Sequence, residues 1–182
     1  MIGLFGLVAA LGLAVQDGQR AVTFQQTDGE WTVVGDAGLG VCLMRFPEHY
    51  NGSALTVFAH GSRNAYDFAL SNPAWSSLET GDVELQAILL DSAGDIRDIW
   101  TLDAAGTAEE DGGPRINWRI LRAANDGAQF DQQLREATTI WFGHEGVPFA
   151  QFDLSGSNNA FGMLDACRSH LRTDPSFDPF AG

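Results

Sequence analysis

The hydrophobic pattern of this chain is dominated by alternation, the signature of half-buried strands. Val22-Thr23-Phe24-Gln25-Gln26 alternates, Asp28-Gly29 offers a turn, and Trp31-Thr32-Val33-Val34 alternates again, which predicts a hairpin. After a loop from Gly35 to Gly40, a strand over Val41 to Phe46 places Cys42, Met44 and Phe46 on one face and stops at Pro47. Asn51-Gly52 turns the chain, and the apolar runs Leu55 to His60 and Tyr66 to Leu70 read as strands joined through Gly61 to Asn64. Asn72-Pro73 breaks that pattern. Val83 to Leu90 is the longest strand candidate, alternating at first and then apolar on both faces, which predicts a central position.

The second half carries weaker signals. Ile96 to Leu102 reads as a strand interrupted by charges, and Asp103 to Pro114, with Glu109-Glu110-Asp111, reads as an exposed acidic loop. Ile116 to Ile120 alternates cleanly, with Arg119 and Arg122 expected on its wet side. Asp126 is placed to cap a short helix in which Phe130, Leu134 and Ala137 recur at helical spacing, and Thr139 to Phe142 follows as a strand.

The stretch that organises the rest is Phe149 to Leu171. Ala150, Phe152 and Leu154 form one face of a strand, and Ser155 to Asn159 is a turn in which Ser157 is placed to cap the next element. That element is a helix whose apolar stripe runs through Ala160, Phe161, Leu164, Cys167 and Leu171. Thr173 to Phe180, with two prolines, cannot prolong it and reads as an extended tail over 173–182.

Strands, one short helix, more strands and a terminal helix, with no repeat period and no long crossover helices, disfavour a parallel doubly wound sheet. The expectation is a mainly β fold, an antiparallel β-sandwich or flattened barrel with the short helix and the C-terminal helix packed on it. At 182 residues the chain suits one such domain, spanning 17–172.

Composition changes this picture in three ways. Residues 2–15 are apolar throughout, the length of a secretory signal core and short of the roughly 20 residues that span a bilayer. Residues 1–16 are therefore read as a signal peptide cleaved near Ala14, although the basic start of such signals is missing; the alternative is a buried N-terminal element. Localisation is then periplasmic or secreted, with no membrane span after signal removal. Ten arginines and no lysine against 24 acidic residues give a net charge of −14, which repels phosphate backbones and excludes nucleic acid as a partner. The only cysteines are Cys42 and Cys167, and in an exported protein they read as one disulfide, closing a loop for which the chain-entropy model gives about 5 kcal/mol. Two buried free thiols are the alternative.

Candidate chemistry is sparse. Ser155 or Ser157 with His144 or His170 and Asp153 or Asp165 supplies the residue types of a nucleophilic triad, but no Gly-x-Ser-x-Gly elbow is present and both serines already serve the turn. Glu48-His49 and His144-Glu145 have metal-ligand types without a spacing that holds a metal, so they read as solvated loop residues and no cofactor is expected. His60 ends an apolar strand and is left without a role. Trp31, Trp75, Trp100, Trp118 and Trp141 read as core or sheet-end residues before they read as a ligand groove.

The strand Gly29-Glu30-Trp31-Thr32-Val33-Val34 and the segment from Phe152-Asp-Leu-Ser-Gly-Ser-Asn-Asn-Ala160-Phe161 to Leu164 resemble the invasion-associated locus B family of small bacterial periplasmic proteins. In that family a Trp-containing strand comes early and a Val-x-Leu-x-Gly-Phe-x-x-Ala-x-x-x-Leu segment closes the domain. The cysteines that follow the first Trp there are absent here, and Ser157 stands in place of an aromatic, so neither disulfide pattern nor function carries over. The resemblance implies a β-sandwich-like envelope protein without an established catalytic site. Together these readings give an exported, non-catalytic binding or interaction protein of a bacterial cell envelope, its partner an unknown protein or small ligand. The rivals are a small hydrolase using His144 or His60 and an acidic inhibitor of a cationic enzyme, docked through Glu109 to Asp111.

Overall fold

The computed structural model describes residues 22–46, 52–108 and 113–174. The leader, Glu48-His49, the Glu109 to Asp111 loop and the tail beyond Asp174 lie outside them. The chain runs β1 (Val22–Asp28), β2 (Trp31–Asp36), β3 (Val41–Arg45), β4 (Ala54–His60), β5 (Ala65–Ser71), β6 (Gly81–Leu90), β7 (Ile96–Thr107), β8 (Arg115–Leu121), α1 (Asn125–Glu136), β9 (Thr139–His144), β10 (Val147–Asp153) and α2 (Ser157–Thr173). All strand pairings are antiparallel, in the order β1-β2-β3-β4-β5-β8-β7-β6-β9-β10. The fold is thus mainly β with two packed helices.

The sheet is not closed into a barrel; it bends over on itself like a sandwich. Laid flat, β3 and β10 would be about 34 Å apart at about 4.8 Å per strand. Instead Phe46, just past β3, and Phe152 of β10 have ring centroids 6.2 Å apart. Trp118 of β8 and Phe142 of β9 lie at 5.3 Å across the same core. Alternation dictates which side chains enter it: Trp31 and Val33, Cys42 and Met44, Leu55, Val57 and Ala59 are buried while their neighbours face outward. The bend is the hinge point between β8 and β7, which pair only from Ala104↔Trp118 to Thr107↔Arg115.

α2 lies along β1 to β4 with Ala160, Phe161, Leu164, Cys167 and Leu171 all fully buried, as the stripe predicts. The Cys42–Cys167 disulfide is present, its Cα atoms 6.1 Å apart and both residues fully buried. Gly35, opposite Cys42 in the β2–β3 ladder, makes room for it, since a Cβ there would sit 2.6 Å from Cys167 Sγ. Gly35→Ala is therefore expected to cost about 1 to 3 kcal/mol by overpacking, read as a lower urea midpoint with an unchanged slope.

Four local expectations are corrected. The cap of α2 is Gly156, whose φ of 82° puts it in the left-handed region, while Ser157 is the first helical residue and donates its hydroxyl to Leu134 O of α1 at 3.3 Å. Gly156 also passes Trp31, whose indole N–H donates to Ser155 O at 2.9 Å and stitches the two ends of the bent sheet together. Asp126 does not cap α1; the cap residue is Ala124, with no side-chain bond. β7 rather than β6 is the longest strand, running on to Thr107 because Asp103 and Ala105 occupy its outward face while Ala104 and Gly106 turn inward. Finally, Arg122 is not on the wet side of β8, for reasons that belong to the site below.

Candidate functional site

The helices meet the sheet through charge as well as through apolar packing. Asp131 and Arg135 lie one turn apart on α1, Asp165 and Arg168 three residues apart on α2, Tyr66 on β5, and Arg122 just past β8. Asp131 accepts from Arg135 Nε at 3.0 Å and from Arg122 Nη2 at 3.1 Å. Asp165 accepts from Arg122 Nη1 at 2.8 Å, Arg135 Nη2 at 3.0 Å and the Tyr66 hydroxyl at 3.0 Å. Arg122 also lies over the Tyr66 ring and Arg135 over the Phe161 ring, at 4.7 and 4.9 Å from their centroids. Arg168 donates onward to the backbone carbonyls of His60 and Arg63.

Three guanidinium groups thus face two carboxylates, and their donors are spent on one another, on ring faces and on main-chain oxygens. Such a cluster is a clamp: it fixes α1 to α2 and both to the β5–β8 pair. Removing one partner strands a partly buried charge, which is why the arrangement specifies one helix placement.

Burial, then the Asp165 and Asp131 charges, push the Tyr66 hydroxyl well above the ordinary tyrosine range, and Arg122 and Arg135 offset this only in part. The neutral phenol is favoured in the folded state, so stability is full below the unfolded-state value near pH 10 and falls by about 1.4 kcal/mol per pH unit above it. With no lysine in the chain and both cysteines paired, tyrosine is the only side chain titrating in that window. Tyr66→Phe is expected to flatten this alkaline slope in urea titrations between about pH 9 and 12; an unchanged slope would place the effect elsewhere.

The sequence-level triad candidates are not brought together in a catalytic arrangement. Ser157 is spent on Leu134 O, the Ser155 amide donates to the Asp153 carboxylate at 2.7 Å, and Asp165 belongs to the clamp. His170 packs against the Phe24 ring, centroids 5.7 Å apart. His144 has Nδ1 2.8 Å from Glu84 O and edges a cavity of about 480 Å³ with Trp75, Leu78, Glu79 and Phe149. His60 Nε2 lies 3.0 Å from Asp67, which also receives Arg119. Glu145 sits with Gly146 in the β9–β10 turn, and among the described residues no group of three or more His, Cys, Asp or Glu is placed to hold a metal. Trp31 and Trp118 are core residues, while Trp75 and Trp100 are partly buried against the core.

A cavity of about 520 Å³ lies on the outward face beside the bend, lined by Asp67, Asp82 and Asp103 with Phe58 and Arg119. Arg119 forms two bonds to Asp67, so the remaining carboxylates set a negative wall.

No family model, curated protein or solved structure matches this chain. Its own distinguishing features are a buried disulfide, a saturated clamp and an acidic concavity. The spacings Asp131–Arg135 and Asp165–Arg168 were the sequence signals available for the clamp, each readable as a helical ion pair. What sequence could not supply was that the two pairs converge on Tyr66.

Proposed function

We propose that the protein is an exported, non-catalytic binding or interaction protein of a bacterial cell envelope, periplasmic or secreted. The observation that carries this reading is the buried Cys42–Cys167 bridge between residues 125 apart, because a structural disulfide of this kind persists in oxidising compartments. The apolar stretch 2–15 supports it as a signal core, and the resemblance of the Trp31 strand and the Phe152 to Leu164 segment to the invasion-associated locus B family supports it as envelope kinship. Among the described residues no helix is long and apolar enough to cross a membrane. Mass spectrometry of the protein from its own cell envelope is expected to find a mature N-terminus near Val15. Intact Met1 on a cytoplasmic form overturns the reading.

A second reading, an acidic protein that captures or inhibits a cationic partner, is favoured by the wall of Asp82 and Asp103. Opposite charge steers encounter and makes such binding fall with salt, whereas the net charge of −14 opposes nucleic acid.

A further inference from the structure

β7 and β8 are neighbours in the sheet but part company below Ala104↔Trp118. From Asp103 back to Ile96, β7 pairs with β6 alone, and Arg119 to Leu121 pair with β5 alone. A fork opens between them, with α1 beneath it, held to β7 by Trp100 Nε1 on Gln133 at 2.7 Å and by Arg97 on Glu136 at 2.8 Å. The bank formed by β7 is a free strand edge. The Ile99 amide, instead of pairing with a strand, is taken by the Asp98 carboxylate at 2.8 Å. Thr101 and Asp103 share the parity of Ile99, so their main-chain groups face the fork as well.

An unpaired edge recruits another strand unless it is blunted, and the blunting here is confined to the Ile96–Ile99 end, where the ladder to β6 is bulged and the Asp98 carboxylate takes the Ile99 amide. Of the six exposed large hydrophobic residues among those described, three stand on its banks: Ile96 (61% exposed), Ile99 (54%) and Leu121 (56%). The two faces of the fork differ in chemistry. At its vertex the fork adjoins, on the outward side, the 520 Å³ cavity over the paired stretch of β7 and β8, with Asp82 and Asp103 in its wall and Asp67 paired to Arg119. Its inward mouth is a cavity of about 340 Å³ lined by Trp100, Leu102, Ile120 and Phe130. Trp118 lines both, and its buried indole Nε1–H has no acceptor among the described residues.

We propose that this fork is a docking slot for an extended cationic segment of a partner polypeptide, which adds a strand to the free edge Ile96 to Asp103. The occupant follows from the walls. A strand turns alternate side chains to opposite faces, so a segment that alternates basic and apolar residues sets its basic groups against Asp82 and Asp103 and its apolar groups over Trp100 and Leu102. This deepens the reading of an acidic protein that binds a cationic partner, and it rests on that reading for the partner's class but not for the slot itself.

The test is titration of the purified full chain with an end-blocked peptide of about ten residues alternating lysine and valine, followed by tryptophan fluorescence. Two peptides accompany it, the same sequence with alternate main-chain amides N-methylated and a glutamate–valine counterpart. The lysine peptide is expected to bind, less tightly as salt rises, and both companions at least about tenfold more weakly. Thr101→Pro, which puts a ring where the added strand would approach on the β7 edge and leaves the β6 ladder intact, is expected to weaken binding about tenfold. Should that variant fold poorly, the pair Asp82→Asn and Asp103→Asn is expected to weaken it about fivefold and to flatten its salt dependence. No binding of the lysine peptide, or equal binding of its N-methylated form, overturns the slot. The mature N-terminus is measured separately, so failure of export and failure of the slot are told apart.

Discussion

Replacing Cys42 and Cys167 together by alanine is expected to remove about 2 to 5 kcal/mol of stability, with about 5 kcal/mol as the chain-entropy ceiling for so long a loop. A single domain holds a net stability of about 5 to 15 kcal/mol, so this is a large fraction of the whole. The loss should fall unevenly. α2 meets the sheet through its apolar stripe, the disulfide and the Asp165 clamp, whereas β2 to β5 are held by continuous ladders that do not involve the bridge. Amide exchange in α2 should accelerate ahead of exchange in β3 and β4. Uniform acceleration across both would mean that the bridge is not specifically a fastening of the helix.

The second large effect is Leu164→Ala, expected to cost about 2 to 5 kcal/mol as a core truncation. Leu164 is fully buried in the middle of the stripe, one turn before Cys167. Phe161, three residues earlier, packs 5.5 Å from the Tyr66 ring and 6.5 Å from that of Phe46, centroid to centroid. These rigid rings and the closed disulfide on either side limit how far the site can collapse around a missing isobutyl group, which puts the cost in the upper part of that range. Urea denaturation of the oxidised protein measures it. A change below about 0.5 kcal/mol would mean that α2 is not part of the cooperative core.

The parts of the fold legible in the sequence were those where one face of an element is dry and the other wet. β2, β3 and β4 alternate because core and solvent lie on opposite sides of a single sheet layer, and parity alone placed Cys42, Met44 and Phe46 beneath the helix. β7 was read too short because its inward positions past Leu102 are Ala104 and Gly106, too small to register as apolar, while Asp103 faces outward. The hairpin after β9 was missed beyond Phe142 because its turn, Glu145-Gly146, is specified by positive φ at both residues and not by hydrophobicity. The clamp escaped because Arg122, Asp131 and Asp165 read as surface charges when taken one at a time. Arg122 and Asp165 are separated by 43 residues, and only the meeting of α1, α2 and β5 makes them partners. The fork is a failure of pairing, and no local residue pattern announces where two neighbouring strands will separate.

The Cys42–Cys167 bridge serves both as the fastening of α2 and as the mark of an oxidising compartment. The direct measurement is to trap free thiols in living cells with a membrane-permeant alkylating agent, recover the protein from the envelope and map its peptides without reduction. The expected result is one crosslinked species carrying Cys42 and Cys167, unalkylated, in a chain whose N-terminus lies near Val15. Both cysteines alkylated in freshly trapped protein would contradict it.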